Sequence, residues 1–143
     1  MVVGAHWAGH HRVFRYVTAL DGQLTRLTLY WLLAQVLTPF ATKVLTGEGA
    51  FQVRFIFYAS VQAAAGILFL LMLREIHRHR LYRPDTPPRM LAYAAVRTGT
   101  LAGAFLVSIP VAFVTPYAYV CWIVFPFAVP LIMRIARRRR TDK

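Results

Sequence analysis

Three long stretches without a charged side chain dominate this sequence, at residues 27–42, 55–73 and 98–133. A helix needs roughly 20 apolar residues to cross the ~30 Å hydrocarbon core of a bilayer. The second stretch fits one such helix, and the third is long enough for two. Pro116 marks the turn between those two helices, because proline lacks an N–H group and restricts the preceding Thr115 away from helical geometry.

The first stretch is the shortest of the three and contains Gln35 and Pro39. It can still span a bilayer if Arg26 and Lys43 extend their side chains to the two interfaces. The sequence therefore predicts an all-α, polytopic membrane helical bundle, built as a single membrane domain with four full transmembrane helices. The predicted helices occupy 26–44, 54–74, 95–114 and 117–134, and a basic cytoplasmic tail follows at 135–143.

The composition agrees with a membrane protein. Hydrophobic residues make up 58% of the chain and charged residues 15%, whereas soluble domains average roughly 45–50% and about 25%. This hydrophobicity also excludes a disordered chain. The net charge of +12 would fit a nucleic-acid partner, so the positions of the charges must decide between nucleic acid and a membrane surface.

The positive charges lie almost entirely on one side of a four-span path. Lys43 and Arg54 are the exceptions among the 17 Lys and Arg residues. Positive charge accumulates on the cytoplasmic side of membrane proteins, so the C-terminus is predicted to be cytoplasmic. The arginine run at 137–140 directly follows the last predicted span, where each arginine gains about 1 kcal/mol from anionic head groups. We therefore predict a multi-pass membrane protein whose partner is the lipid bilayer and not nucleic acid. Arginine outnumbers lysine 15 to 2, which is typical of a GC-rich bacterial genome, so the predicted location is the bacterial inner membrane.

The N-terminal segment, residues 1–16, begins with an apolar and aromatic run at residues 1–11 that is too short to span a bilayer. It ends in Arg12 and Arg15, whereas a secretory signal carries its charge before the apolar run. We expect this segment to be the C-terminal, cytoplasmic end of a fifth transmembrane helix whose beginning is absent.

A histidine cluster raises the alternative of a membrane enzyme or metal protein. The pattern His-x-x-x-His-His begins at His6 and resembles one histidine box of membrane di-iron enzymes, and His6 and His10 share a helix face. Such enzymes use several boxes, but the chain has only five histidines. Glu75 is the only acid close in sequence to His77 and His79, although iron sites of this kind use carboxylates. We therefore predict no enzymatic activity, no bound metal and no cofactor.

Small residues at four-residue spacing predict faces on which helix backbones approach closely. Gly99 and Gly103 form such a face on the third span, and Ala59, Ala63 and Gly66 form one on the second. The few hydrogen-bonding side chains within the spans are predicted to join helices to one another: Gln35, Ser60, Gln62 and Ser108. No predicted span contains Asp or Glu, so no acidic ring for ion selectivity is assigned.

The most specific resemblance is carried by residues 7–16, Trp-Ala-Gly-His-His-Arg-Val-Phe-Arg-Tyr, and by residues 37–40, Leu-Thr-Pro-Phe. These segments resemble the bacterial branch of the transmembrane protein 175 family of potassium channels. In that family the second helix ends in a similar Trp-x-x-His-His stretch containing Phe, and the third carries Pro-Phe near its outer end. The resemblance continues less specifically to the C-terminal hairpin with Pro126.

The resemblance implies a six-helix repeat that assembles as a homotetramer around a central pore and gives a potassium leak conductance. It implies that Trp7 and His10 belong to a hydrogen-bonded structural layer, and Thr28 stands where the family often has Asn. The family signature, Arg-x-x-x-Phe-Ser-Asp, belongs to a first, pore-lining helix that this sequence lacks. We therefore expect conduction to depend on residues upstream of Met1, and a non-conducting membrane scaffold or assembly partner is the alternative.

Overall fold

The computed structural model describes residues 2–19, 21–84, 86–87, 89–125 and 128. This part of the chain is helical, which confirms the predicted all-α class. The helices are α1 (Val2–Phe14), α2 (Gly22–Leu45), α3 (Phe51–Arg78), α4 (Met90–Val114) and α5 (Pro116–Phe125), and α5 begins with a 3₁₀ turn. The end of the predicted span 117–134 and the tail 135–143 lie outside the described residues.

The observed helices extend beyond the predicted spans. α2 begins early because Asp21 caps it, its carboxylate accepting a hydrogen bond of 2.6 Å from the Leu24 N–H. We expected the connection between the second and third spans to start at Arg74, but α3 continues to Arg78. The reason is that the first proline of this connection is Pro84, so no residue before it prevents another helical turn.

Two helices, α3 and α4, are long and apolar enough to cross a membrane, judged by length and composition. α2 has 24 residues but does not reach the same hydropathy. Polar side chains such as Thr28, Gln35 and Thr38 lower its mean hydropathy. The total of four spans therefore stays a prediction.

α3 packs between α2 and α4, and its buried side chains contribute to two cores. One core, at the α1 end of the bundle, consists of Val13, Leu24, Leu27, Trp31, Phe69, Met72, Leu73 and Ile76. The other, at the α5 end, consists of Ala41, Phe55, Tyr58, Ala59, Ala63, Phe105, Ala112 and Ala118. Large apolar side chains such as Val36 and Phe40 of α2 stay exposed, as expected for a surface that faces lipid or another protein.

The α1–α2 and α3–α4 connections meet at the same end of the bundle. The Thr18 N–H donates to the Leu81 carbonyl at 3.0 Å, and the Arg83 N–H donates to the Tyr16 carbonyl at 2.9 Å. At the opposite end, Arg54 donates to the Leu45 carbonyl at 2.8 Å, satisfying a backbone group at the end of α2. The two basic connections therefore lie on the same side of the bundle.

α3 and α4 approach each other closely at Gly66. A Cβ atom built on Gly66 would lie 2.8 Å from the Cβ of Ala102, closer than two carbon atoms can pack. At Gly99 such an atom would meet only Leu70, at 4.0 Å, and at Gly103 it would meet nothing within 4 Å. Within the chain, the close contact predicted for small residues is therefore made by Gly66, and the face at Gly99 and Gly103 is open.

The two predicted alanines of α3 lie in the core at the α5 end. Ala59 and Ala63 are both buried, with exposures of 0% and 2%. Their small side chains leave room for the aromatic rings of the same core. Whether they, Gly99 or Gly103 mediate contacts between subunits stays a prediction.

Candidate functional site

The candidate site is built on one face of α1. Trp7, His10 and Phe14 are spaced three and four residues apart, so their side chains share that face. The His10 ring stacks on the Phe14 ring, with the centroids 4.0 Å apart. It also stacks on Trp31 of α2, with the centroids 4.4 Å apart and the planes inclined by 8°.

Phe69 of α3 extends this group to a third helix. Its ring centroid lies 6.2 Å from that of His10 and 6.3 Å from that of Trp31. We call Trp7, His10, Phe14, Trp31 and Phe69 the His10 cluster. Aromatic pairs in such geometries each contribute about 0.5–1.5 kcal/mol in addition to the energy of burying their surface. The cluster therefore stabilises the packing of α1 against α2 and α3.

The imidazole of His10 has an unused hydrogen-bonding atom. Its Nε2 atom is buried and has no hydrogen-bond partner among the described residues. α1 has 13 residues and is not one of the candidate membrane spans. Burial of the His10 ring, together with the neighbouring His11, lowers the pKa of His10 from 6.5 to about 4. The ring is therefore neutral at pH 7 and can donate or accept one further hydrogen bond.

Of the three residues predicted for a polar layer, the structure brings two together. The Trp7 ring centroid lies 6.1 Å from that of His10, and the Trp7 side chain is 55% exposed. Thr28 lies one turn before Trp31, but its hydroxyl donates to the Leu24 carbonyl at 2.8 Å and lies 3.5 Å from the Met72 sulfur. Thr28 is thus beside the cluster and outside its ring contacts.

Trp31 and Phe69 are the members of the cluster that the sequence analysis missed. Both lie in the predicted spans, where an aromatic residue fits a lipid-facing surface and a helix interface equally well. Trp31 is 1% exposed and Phe69 is 6% exposed. The spacing of Trp31 from Thr28 placed both on one face of α2, but no local pattern indicates which helix covers that face.

Three side chains that could hold a metal ion were not predicted as a group. The ligand atoms of Asp21, Glu75 and His79 lie within 4.8 Å of one another. Two of them already contact each other, with His79 Nε2 and Glu75 Oε1 3.1 Å apart, and Asp21 caps α2. His10 faces aromatic rings, and the side chain of His6 is outside the described residues, so the absence of a metal site in this cluster stays a prediction.

A hydrogen bond between side chains joins α4 to α5. The indole N–H of Trp122 donates to the Ser108 hydroxyl at 2.9 Å, and that hydroxyl donates to the Phe105 carbonyl at 2.7 Å. Ser108 is fully buried. Because its hydroxyl accepts the hydrogen bond from Trp122, it joins two helices as predicted. Ser60, by contrast, is exposed.

A comparison with known protein families finds a match to the N-terminal part of the chain, which holds most of the His10 cluster. Residues 1–39 match the TMEM175 family. Its model is described as the endosomal/lysosomal potassium channel TMEM175. The match covers α1 and α2 as far as Pro39, and it confirms the predicted resemblance over that segment.

The TMEM175 match includes every residue of the His10 cluster except Phe69. TMEM175 is an ion channel family and not a class of enzyme, which agrees in general terms with the prediction of no enzymatic activity. No curated protein and no solved structure matches the chain.

Proposed function

We propose that this chain is a multi-pass subunit of a TMEM175-type potassium channel and takes part in a potassium leak conductance across the cell membrane. The TMEM175 match over residues 1–39 carries this proposal. It includes α1 and most of α2, the two helices whose Trp7, His10 and Trp31 rings stack. α3 and α4 add two helices that are long and apolar enough to span the membrane.

In this proposal the His10 cluster is structural. It holds α1 against α2 and α3, and the unused Nε2 atom of His10 provides the hydrogen bond that the family resemblance assigns to a polar layer. An unsatisfied buried polar atom costs about 1–3 kcal/mol. A partner outside the described residues would remove that cost.

The topology and the assembly belong to the same proposal. We expect the basic α1–α2 and α3–α4 connections and the C-terminus to be cytoplasmic, since positive charge is retained on that side. We also expect a homotetramer, as the resemblance implies. The open face at Gly99 and Gly103 is available for contact with another helix.

Potassium flux through liposomes tests the proposal. Purified full chain is reconstituted into vesicles loaded with potassium, and efflux is followed with a proton-coupled dye, with valinomycin added at the end to release all trapped potassium. Efflux above that of protein-free vesicles is the result that a conductance carried by residues 1–143 requires. If efflux equals that of protein-free vesicles while valinomycin still releases potassium, the conducting function is wrong.

The alternative is a non-conducting membrane scaffold or assembly partner. It is motivated by the absence of the Arg-x-x-x-Phe-Ser-Asp signature from residues 1–143. Chemical cross-linking of the same vesicles distinguishes the two functions. A defined oligomer without potassium efflux supports the scaffold, and a defined oligomer with efflux supports the channel.

A further inference from the structure

A groove lies between α1 and α4, with α3 as its floor. α1 lines it with Gly9 and Arg12, α4 with Ala94, Arg97 and Leu101, and α3 with Phe69. The empty space in the groove, including the part open to the surroundings, is about 630 Å³.

The groove combines apolar walls with two unpaired positive charges. Arg12 and Arg97 are both exposed, and neither has a hydrogen-bond or ion-pair partner among the described residues. The acidic residues of the described part are Asp21, Glu48 and Glu75, and none of them lines the groove. The ligand that fits these charges is an anion, because two guanidinium groups can hold one phosphate through several charge-assisted hydrogen bonds.

The position of Arg97 indicates which kind of anion fits the groove. Arg97 lies seven residues after Met90, the first residue of α4, which is about 10 Å along the helix axis. Beyond it the α4 wall continues with Thr98 and the apolar Leu101. A molecule that fills this groove therefore needs a negative head at the level of the arginines and an apolar body beyond it.

We propose that this groove binds one anionic phospholipid, with its phosphate at Arg12 and Arg97 and an acyl chain against Ala94, Leu101 and Phe69. A free phosphate ion would leave the apolar walls uncovered. A second copy of the chain is disfavoured there because it has only five acidic residues against 17 Lys and Arg and so offers few partners to two arginines. This site is separate from the proposed conductance and does not depend on it.

Lipid retention by the purified full chain tests the site. The protein in detergent is titrated with phosphatidylglycerol or with phosphatidylcholine of the same acyl chains, and bound lipid is counted by native mass spectrometry. We expect the double variant Arg12→Gln/Arg97→Gln to bind phosphatidylglycerol about 30-fold more weakly, the effect of removing two arginines near the membrane surface. The matched double variant Arg78→Gln/Arg83→Gln removes the same charge outside the groove, and its affinity should stay close to that of the unchanged chain.

A second pair of variants tests the apolar part while keeping every charge. Gly9→Leu places a side chain in the open space of the groove, and Gly4→Leu makes the same change on α1 outside it. Both remove a glycine from a helix, which favours folding. We expect Gly9→Leu to lose retained phosphatidylglycerol and Gly4→Leu to keep it.

Five outcomes would overturn the proposal. Equal binding of phosphatidylglycerol and phosphatidylcholine would show that the arginines select no anion. Equal loss in the two arginine double variants, or no loss in Gly9→Leu, would place the lipid elsewhere. Competition by millimolar inorganic phosphate, or occupation of the groove by a second copy in cross-linking, would identify a different occupant.

Discussion

The imidazole ring of His10 lies nearly parallel to the indole ring of Trp31, with the centroids 4.4 Å apart and the planes inclined by 8°. This stack joins α1 to α2, and Phe69 adds a ring from α3 at 6.2 Å from His10. The His10 side chain forms none of these contacts through a hydrogen bond. The position of α1 in the bundle therefore depends on stacking and on apolar contacts such as that of the buried Val13.

Trp31 is the first residue to test. It is 1% exposed and belongs to the core at the α1 end, so Trp31→Ala should destabilise the protein by about 3–5 kcal/mol through the cavity that it leaves. Thermal unfolding in detergent, followed by circular dichroism, measures the loss. Trp7→Ala is the matched control, because Trp7 is 55% exposed and its removal should change stability much less. Equal losses in the two variants would contradict the burial of Trp31.

His10 makes stability depend on pH. Its pKa is about 4 in the folded chain, against 6.5 in an exposed histidine, so the unfolded chain takes up the proton first as the pH falls. The contribution of a neutral His10 to the free energy of unfolding is therefore fully present above about pH 6.5, and it is lost as the pH falls towards 4. The unfolding temperature should decrease over that interval.

Two histidine variants isolate this effect. His10→Phe keeps a ring in the stack and has no titratable group, so most of the decrease below pH 6.5 should disappear. His11→Phe is the control, because His11 is exposed and its variant should keep a pH dependence close to that of the unchanged chain. An unaltered pH profile in His10→Phe would show that another group causes the decrease.

The contact between Gly66 and Ala102 gives a second stability test. The Cβ added by Gly66→Ala would lie 2.8 Å from the Ala102 Cβ, so α3 and α4 must separate, at a cost of about 1–3 kcal/mol. Gly4→Ala is the control, because its added Cβ meets no atom within 4 Å, and it should be neutral or stabilising by up to about 1 kcal/mol. Adding Ala102→Gly to Gly66→Ala should restore part of the loss. The absence of any restoration would argue against this contact.

The hydrogen bond between Trp122 and Ser108 should matter for the end of the bundle at α5. Ser108→Ala leaves the Trp122 N–H without its acceptor at 2.9 Å, which should cost about 1–3 kcal/mol. Ser60→Ala makes the same chemical change at an exposed position of α3 and should change stability by less than about 0.5 kcal/mol. Thermal unfolding of both variants, with limited proteolysis near Thr115, measures the difference.

Several features of this protein could be read from the sequence because they are local. The lengths of the uncharged stretches predicted an all-α bundle, and the observed α2, α3 and α4 cover the first three predicted spans. The motif at residues 7–16 predicted the family that residues 1–39 match. The restriction imposed by Pro116 placed the helix end at Thr115, whose backbone is extended in the structure. The continuation of α3 to Arg78 was not predicted, because charge alone does not end a helix.

The tertiary structure alone decided which side chains meet. The stacking of His10 with Trp31 and Phe69, the close approach of Gly66 to Ala102, and the position of Asp21 beside Glu75 and His79 all join residues that are distant in sequence. Hydropathy and spacing show which residues share one helix face, because a helix repeats every 3.6 residues. They do not specify how each helix is rotated about its axis against its neighbours, and that rotation is set by packing between helices. For this reason the sequence determined the helices and the family of the N-terminal segment, whereas the His10 cluster and the groove between α1 and α4 emerged only from the assembled bundle.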